Sequence, residues 1–211
     1  MDRPTEDRPT EDRITRAASV SMQDDPHELT TAAATDPDPR VRAVAIAALV
    51  QRAGRRVSTP AWRRAAADPD AGVRRRAAEV APRLGRSAPC SVLVGLLGDD
   101  DLWVAEAAAY AIGEHPVPTR AAITALTNAA STHPDALVRE AAVAALGAQG
   151  DPATLAFVLA ACNDKPAIRR RAVLALAAFD GPDVESRLRA AGSDPDWQVR
   201  QAAEDLLNIT R

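Results

Sequence analysis

Residues 36–49 read DPDPRVRAVAIAAL, and five later stretches repeat the pattern. They are DPDAGVRRRAAEVA (68–81), DDDLWVAEAAAYAI (99–112), HPDALVREAAVAAL (133–146), NDKPAIRRRAVLAL (163–176) and DPDWQVRQAAEDLL (194–207). The anchoring β-branched residues are Val41, Val73, Val104, Val138, Ile168 and Val199, at spacings of 32, 31, 34, 30 and 31. Six returns to one register mark an internal repeat, the signature of a stacked architecture. Within each unit, V-R-x-x-A-A-x-A-L puts Val, both Ala and Leu on one helical face. The acids Asp38, Asp70, Asp101, Asp135 and Asp196 stand where an N-cap accepts bonds from unpaired amides. Pro39 and Pro166 follow at the first helical position, where a missing N–H costs nothing. Gly54, Gly85, Gly113, Gly147 and Gly181 read as C-terminal caps.

Second amphipathic segments lie between these helices, at about 26–35, 59–67, 88–98, 118–131, 152–162 and 182–192. Pro60, Pro89, Pro118, Pro152 and Pro182 stand near the starts of the last five. Each repeat is therefore a helical hairpin, and six hairpins predict twelve helices. Composition agrees. Of 211 residues, 48 are Ala, and aromatics make up only 3%. Ala is the best helix former, while the bulky strand formers are scarce. The fold class expected is all-α, with a repeat domain over 23–211. Residues 1–22 open with DRPTE twice and offer nothing apolar before Ile14. They are expected to form a disordered tail, because burial there cannot offset ordering entropy.

The D-P-D-x-x-V-R-x-x-A-A-x-A-L-G signature resembles HEAT repeats of the short type named after phycobilisome lyases. That resemblance covers residues 26–209 and implies a right-handed α-solenoid of about six hairpins. It places first helices on the convex side and second helices along a concave side, the usual binding surface of a solenoid. In the family, recurring Asp and Arg residues tie one repeat to the next. The matching arginines are Arg42, Arg74, Arg139, Arg169 and Arg200. Repeat three departs with Ala105, and repeat five has Lys165 in place of the capping acid.

Positions two, three and six after each anchor should project from the packed stripe of the second helices. With Trp103 they give the candidate partner-binding set: Arg75, Arg76, Glu79, Trp103, Glu106, Tyr110, Glu140, Arg170 and Arg171. Ala107, Ala141, Ala144, Leu174, Gln201, Ala202 and Asp205 are expected on the same face. Trp103 reads either as an interface anchor or as packing in the space left by Ala105. Trp62 and Trp197 read as core or inter-repeat packing. The triplets Arg74–Arg76 and Arg169–Arg171 read either as a site for an acidic partner, through fork pairing, or as one ladder arginine beside two solvated ones.

Chemistry is sparse. Hydroxylases built on such repeats need several His-Glu pairs, but the chain has three histidines, His27, His115 and His133. Cys90 and Cys162 are two repeats apart, roughly 20 Å at 9–10 Å per helix layer, beyond disulfide reach. No phosphate-binding loop, dinucleotide fingerprint or nucleophile elbow occurs. With a net charge of -3, the chain lacks the basic footprint of a nucleic-acid binder. No long apolar span or secretory h-region appears, which points to the cytoplasm. The reading is a non-catalytic scaffold with no cofactor and no metal, binding another protein that has an acidic and apolar surface. The alternatives weighed are a phycobilin lyase-like enzyme or lyase subunit, which shares the repeat type, and a HEAT-like DNA glycosylase.

The pattern separates two kinds of position in repeat four. Val138→Asp places an unpaired carboxylate between repeats and is expected to destabilise the fold strongly. Asp135→Ala removes only a cap and should cost about 1 kcal/mol. Urea denaturation of both variants checks this, and equal small losses would mean the buried face is misassigned.

Overall fold

The computed structural model describes residues 10–19 and 26–209. Among these residues the chain is helical, without strands. Helix α1 spans Thr10–Ser19. Six hairpins follow: α2 (Pro26–Thr35) with α3 (Pro39–Arg52), α4 (Arg55–Ala65) with α5 (Ala71–Leu84), and α6 (Cys90–Leu97) with α7 (Leu102–Gly113). The last three are α8 (Arg120–Thr132) with α9 (Ala136–Gln149), α10 (Leu155–Ala161) with α11 (Pro166–Ala175), and α12 (Pro182–Ala191) with α13 (Trp197–Ile209). They form two compact units, one up to Ala111 and one from Ile112. In the first unit α3 packs on α5 and α2 on α4; in the second α9 packs on α11, α11 on α13, and α8 on α10. All are helical repeats of α-solenoid class, and within each unit second helices stack on second helices and first helices on first.

The start differs from expectation. Residues 10–19 are helix α1, which packs on α3, buries Ala17 and pairs Arg13 with Asp36 at 3.2 Å. The rest of 1–22 lies outside the described residues. Helix α4 begins four residues earlier than its expected start and runs through Pro60, because Gly54 supplies a carbonyl to the amides of Val57 and Ser58.

The caps form where the acids predict them. Asp38 accepts from the Arg40 amide, Asp70 from Val73, Asp101 from Trp103, Asp135 from Leu137 and Asp196 from Gln198. Behind them the anchors Val41, Val73, Val104, Val138, Ile168 and Val199 are all buried. In the first unit Trp62 joins this core, fully enclosed, and its indole N–H donates to the Ala77 carbonyl at 2.7 Å. Core packing is what the sequence implies for Trp62. For Trp197 it is not: that ring is 64% exposed at the start of α13.

A second set of aspartates ties neighbouring repeats together. Arg42 donates through Nε and Nη2 to both oxygens of Asp68, at 2.9 and 2.8 Å. Its Nη1 turns back to the Asp36 carbonyl at 2.8 Å. The same fork recurs between Arg74 and Asp99, Arg139 and Asp164, and Arg169 and Asp194. In each case Nη1 holds carbonyls of the arginine's own loop. The forks are only slightly exposed, so their charges are incompletely screened. Repeat three carries Ala105 instead of arginine, and repeat four opens with His133 instead of the first acid. His133 keeps the local half of that acid's work, since its Nδ1 accepts from the Asp135 amide at 3.1 Å.

Glycines do three jobs, and the sequence shows only one. Gly85 (φ 54°) closes α5, as a C-cap should. The cap of α9 is Gly150 (φ 59°), not Gly147. Gly113 and Gly147 lie within helices and let neighbouring backbones touch. A Cβ on Gly113 would sit 2.9 Å from Ala145 Cα, and one on Gly147 would sit 2.6 Å from Ala175 Cβ. Gly54 and Gly181 are N-caps, of α4 and α12.

Two tests follow from this packing. Gly147→Ala should cost roughly 1–3 kcal/mol, the usual range for overpacking. Gly95→Ala, on an exposed stretch of α6 with nothing within 4 Å, should instead gain up to about 1 kcal/mol of helix propensity. Chemical denaturation giving the same sign for both would contradict the close approach. The ladder also sets a pH response. Hydrogen bonds from Arg74, Arg139 and Arg169 hold Asp99, Asp164 and Asp194 below the ordinary aspartate value of 3.8. Burial pushes Asp68 up, but the Arg42 fork and the Asp70 amide outweigh it and leave Asp68 lowered too. Below 3.8 the unfolded chain binds these protons first, so the ladder's stabilisation is complete above about pH 4 and drains away as pH falls further. Thermal melts from pH 7 to pH 2.5 should show that fall, and Asp164→Asn should make it shallower.

Candidate functional site

Each unit presents the outward side of its second helices. In the first, α5 and α7 supply six of the nine candidate residues. Arg75 and Arg76 both grip Glu79, at 2.8 and 2.7 Å. Arg75 also lies over the Trp103 ring, its guanidinium carbon 5.6 Å from the centroid, within cation–π range. This contact joins two adjacent repeats on their outer face. Trp103 is 49% exposed and Tyr110 54% exposed. Seven residues apart on one helix, they share a face two turns apart. Glu106 lies between them, half-buried. Ala105 is fully buried in this helix, while Trp103 projects outward beneath an arginine.

Beside this cluster, α3 and α5 form a groove of about 300 Å³. Arg40, Ala43, Asp70, Gly72, Arg75, Arg76 and Glu79 are among its lining residues. Arg40 is committed to Asp38 and Glu11. Two arginines sharing the single Glu79 leave the groove's α5 wall with surplus positive charge next to an exposed indole. Arg76 pairs with Glu79 through Nη1 and, with its side chain about half exposed, keeps donors toward solvent.

The second unit carries the other three candidates. Arg171 reaches Glu140 at 3.3 Å, and Arg170 is exposed. Arg169, the first of that triplet, belongs to the ladder. Between α9 and α11 lies a groove of about 340 Å³, walled by Ala144, Gly147, Ala148, Leu174 and Ala175, with Arg171 at its edge. Not every expected position projects. Ala107 and Ala202 are buried, because small side chains there let neighbouring helices close over them.

Sequence reading missed one polar lock. The Gln149 amide nitrogen donates to the carbonyls of Ile112, Gly113 and His115, at 3.0, 2.6 and 3.0 Å. It adds a donor to carbonyls at the end of α7, where intrahelical partners run out. A lone glutamine closing an alanine-rich helix was the available signal. His115 is buried, with its Nδ1 accepting from the Val117 amide. Both cysteines are buried thiols, and burial pushes the Cys162 thiol up, away from the reactive thiolate. Among the described residues, no three His, Cys, Asp or Glu side chains gather to hold a metal ion, and no helix is long and apolar enough to cross a membrane.

Comparison with known proteins bears on the same residues. No curated protein matches the sequence. Among solved structures, Escherichia coli YibA superposes with a TM-score of 0.66 at 19% identity, over 94% of this chain and 82% of that one. A designed armadillo repeat protein in complex with the peptide (KR)4 gives 0.56 at 15% identity, over 95% and 98%. The Schizosaccharomyces pombe condensin Cnd3-Cnd2 subcomplex gives 0.64 at 15% identity, over 93% of this chain and 32% of that one. These likenesses are of fold. The profile of HEAT repeats matches residues 26–113, 99–167 and 123–208, which takes in all six hairpins, and the chain belongs to the HEAT-repeat family.

Proposed function

We propose that the chain is a non-catalytic scaffold that grips another protein along the outer face of its second helices. The observation that carries this reading is the half-exposed pair Trp103 and Tyr110 on α7, with Arg75 stacked on the indole. A chain with three Trp and one Tyr spends two of those four rings on one exposed helix face. Aromatic and arginine side chains are the usual anchors of protein interfaces. Arg75 loses little freedom on binding, because Glu79 and the indole already hold it. Surplus arginine beside exposed aromatics favours a partner surface that is acidic and apolar.

The fold supports the same class. Helical-repeat surfaces are suited to extended partners, and the armadillo and condensin structures similar to this chain contain a bound peptide and a second subunit respectively. In the second unit, Arg170, Arg171 and Glu140 extend the candidate set beside a small-residue groove. The reading needs no cofactor, and two buried cysteines outside any disulfide suit a reducing cytoplasm.

The test is affinity capture from the native host, followed by titration of the recovered partner. Trp103→Ala should weaken binding about 30-fold, the effect of losing an anchor worth 2 kcal/mol. Arg170→Ala with Arg171→Ala should weaken it as well, with helicity unchanged in both variants. Unchanged affinity in both would move the site off this face.

A further inference from the structure

Charge on this chain is unevenly distributed. Residues 39–67 hold seven arginines and no lysine, aspartate or glutamate, in a protein whose net charge is -3. Three of the seven are engaged: Arg40 and Arg42 pair with acids, and Arg52 donates to the Ala18 carbonyl at 2.7 Å. The other four, Arg55, Arg56, Arg63 and Arg64, all stand on α4 and are all exposed. Among the described residues none of these four meets a carboxylate. The fold does not require them. Helix α4 turns Ser58, Ala61, Trp62 and Ala65 inward, and the arginines take the other side. Arg56 and Arg63 share a face, with Arg64 beside them, about 10.5 Å apart along the axis at 1.5 Å per residue. Arg55 and Arg56 sit in the first turn, where the helix dipole disfavours positive charge, and no acid there offsets it. The first helix of the next repeat, α6, carries no charged residue at all. Four like charges therefore stand on one short helix without an internal counter-ion.

We propose that α4 docks the backbone of double-stranded DNA, without regard to base sequence. Charge alone would also suit an acidic protein or an anionic membrane, and the rest of the helix decides among them. Protein interfaces are anchored by aromatic side chains at an apolar centre, whereas the exposed apolar residues of α4 are Val57 and Pro60. A helix lying on a membrane buries its apolar face in lipid, but that face of α4 is turned into the core around the fully enclosed Trp62. Duplex DNA needs neither feature. It presents two rows of phosphates on either side of a major groove about 12 Å wide. The arginine pairs at the two ends of α4 are spaced to reach both rows, with forks that suit phosphate oxygens. No ring is exposed on α4 to stack on an unpaired base, which favours a duplex over a single strand. The net charge of -3 conceals this patch because acids elsewhere in the chain outweigh it. Helix α4 is a first helix, so the site is separate from the Trp103 face of the second helices and stands without it.

The probe is a fluorescently labelled DNA duplex of arbitrary sequence, titrated with the intact chain by anisotropy between about 50 and 200 mM salt, the range over which phosphate contacts weaken steeply. Saturable binding is expected, with log K falling against log salt at a slope of about 3–4, near 0.9 per arginine contact. A duplex of scrambled sequence should bind equally. Arg63→Gln with Arg64→Gln should lower that slope by about 2, and adding Arg55→Gln with Arg56→Gln should remove binding. All four side chains are exposed, so far-UV circular dichroism should not change. Arg120→Gln with Arg189→Gln alters net charge equally at two exposed arginines on other helices and should leave the slope as it is. No binding at the lowest salt overturns the proposal, as does an unchanged slope in the α4 variants. Tighter binding to phosphatidylserine vesicles or to polyglutamate than to the duplex, lost in the same variants, would overturn the choice of occupant.

Discussion

The arginine fork is the constraint on which the rest of this fold depends. A guanidinium has five donors in a fixed plane, and here one edge reads the loop behind while the other reads the loop ahead. Neither edge alone sets a repeat's position. Where a fork is present, the two together fix the distance and angle between consecutive second helices, since a bidentate pair tolerates little rotation. The fork also resolves a local problem. Loops of the Asp-Pro-Asp type expose carbonyls that no helix can satisfy, and Nη1 satisfies them. The net stabilisation of any one rung is modest, because partly buried charges lose hydration. Its value lies in specifying register, so that side chains as small as alanine meet their intended neighbours.

Close packing follows from that register. Alanine and glycine faces bury little area per residue, so stability must come from helices approaching nearer than leucine would allow. The Gly147–Ala175 contact is an extreme case, with no room for a methyl group. A shallow core of this kind leaves large side chains with few places to go. Trp62 takes one of them and is wholly enclosed. Trp103, Tyr110 and Trp197 do not, and all three stay exposed.

Much of this was legible in the residues. The six anchors, the capping acids and the hairpin count all follow from hydrophobic period and spacing, which report local structure directly. What failed needed tertiary information. Gly113 and Gly147 read as caps because glycine after a helix usually is one, and only the neighbouring backbone shows otherwise. Helix α1 was hidden by alternating charges, since its stability comes from packing on α3 and not from its own sequence. Trp197 read as packing because an indole usually is buried, and no repeat covers it among the described residues. The projecting face was foreseen for Arg75 and Tyr110, while Trp103 read either as an anchor or as packing. The stacking of Arg75 on Trp103 was not, because it joins different repeats.

Each rung closes a short loop. Its two partners lie 25 or 26 residues apart, and the caps and hairpin contacts are shorter still. Ordering such a chain requires no distant segments to find one another, so the entropy of loop closure stays small at every step. During synthesis, an arginine that has emerged from the ribosome waits only for the next hairpin's first turn, a matter of seconds at ordinary elongation rates. The chain can therefore acquire its structure in the direction in which it is made, one hairpin docking on the last, without ever holding a long unfolded stretch in solution.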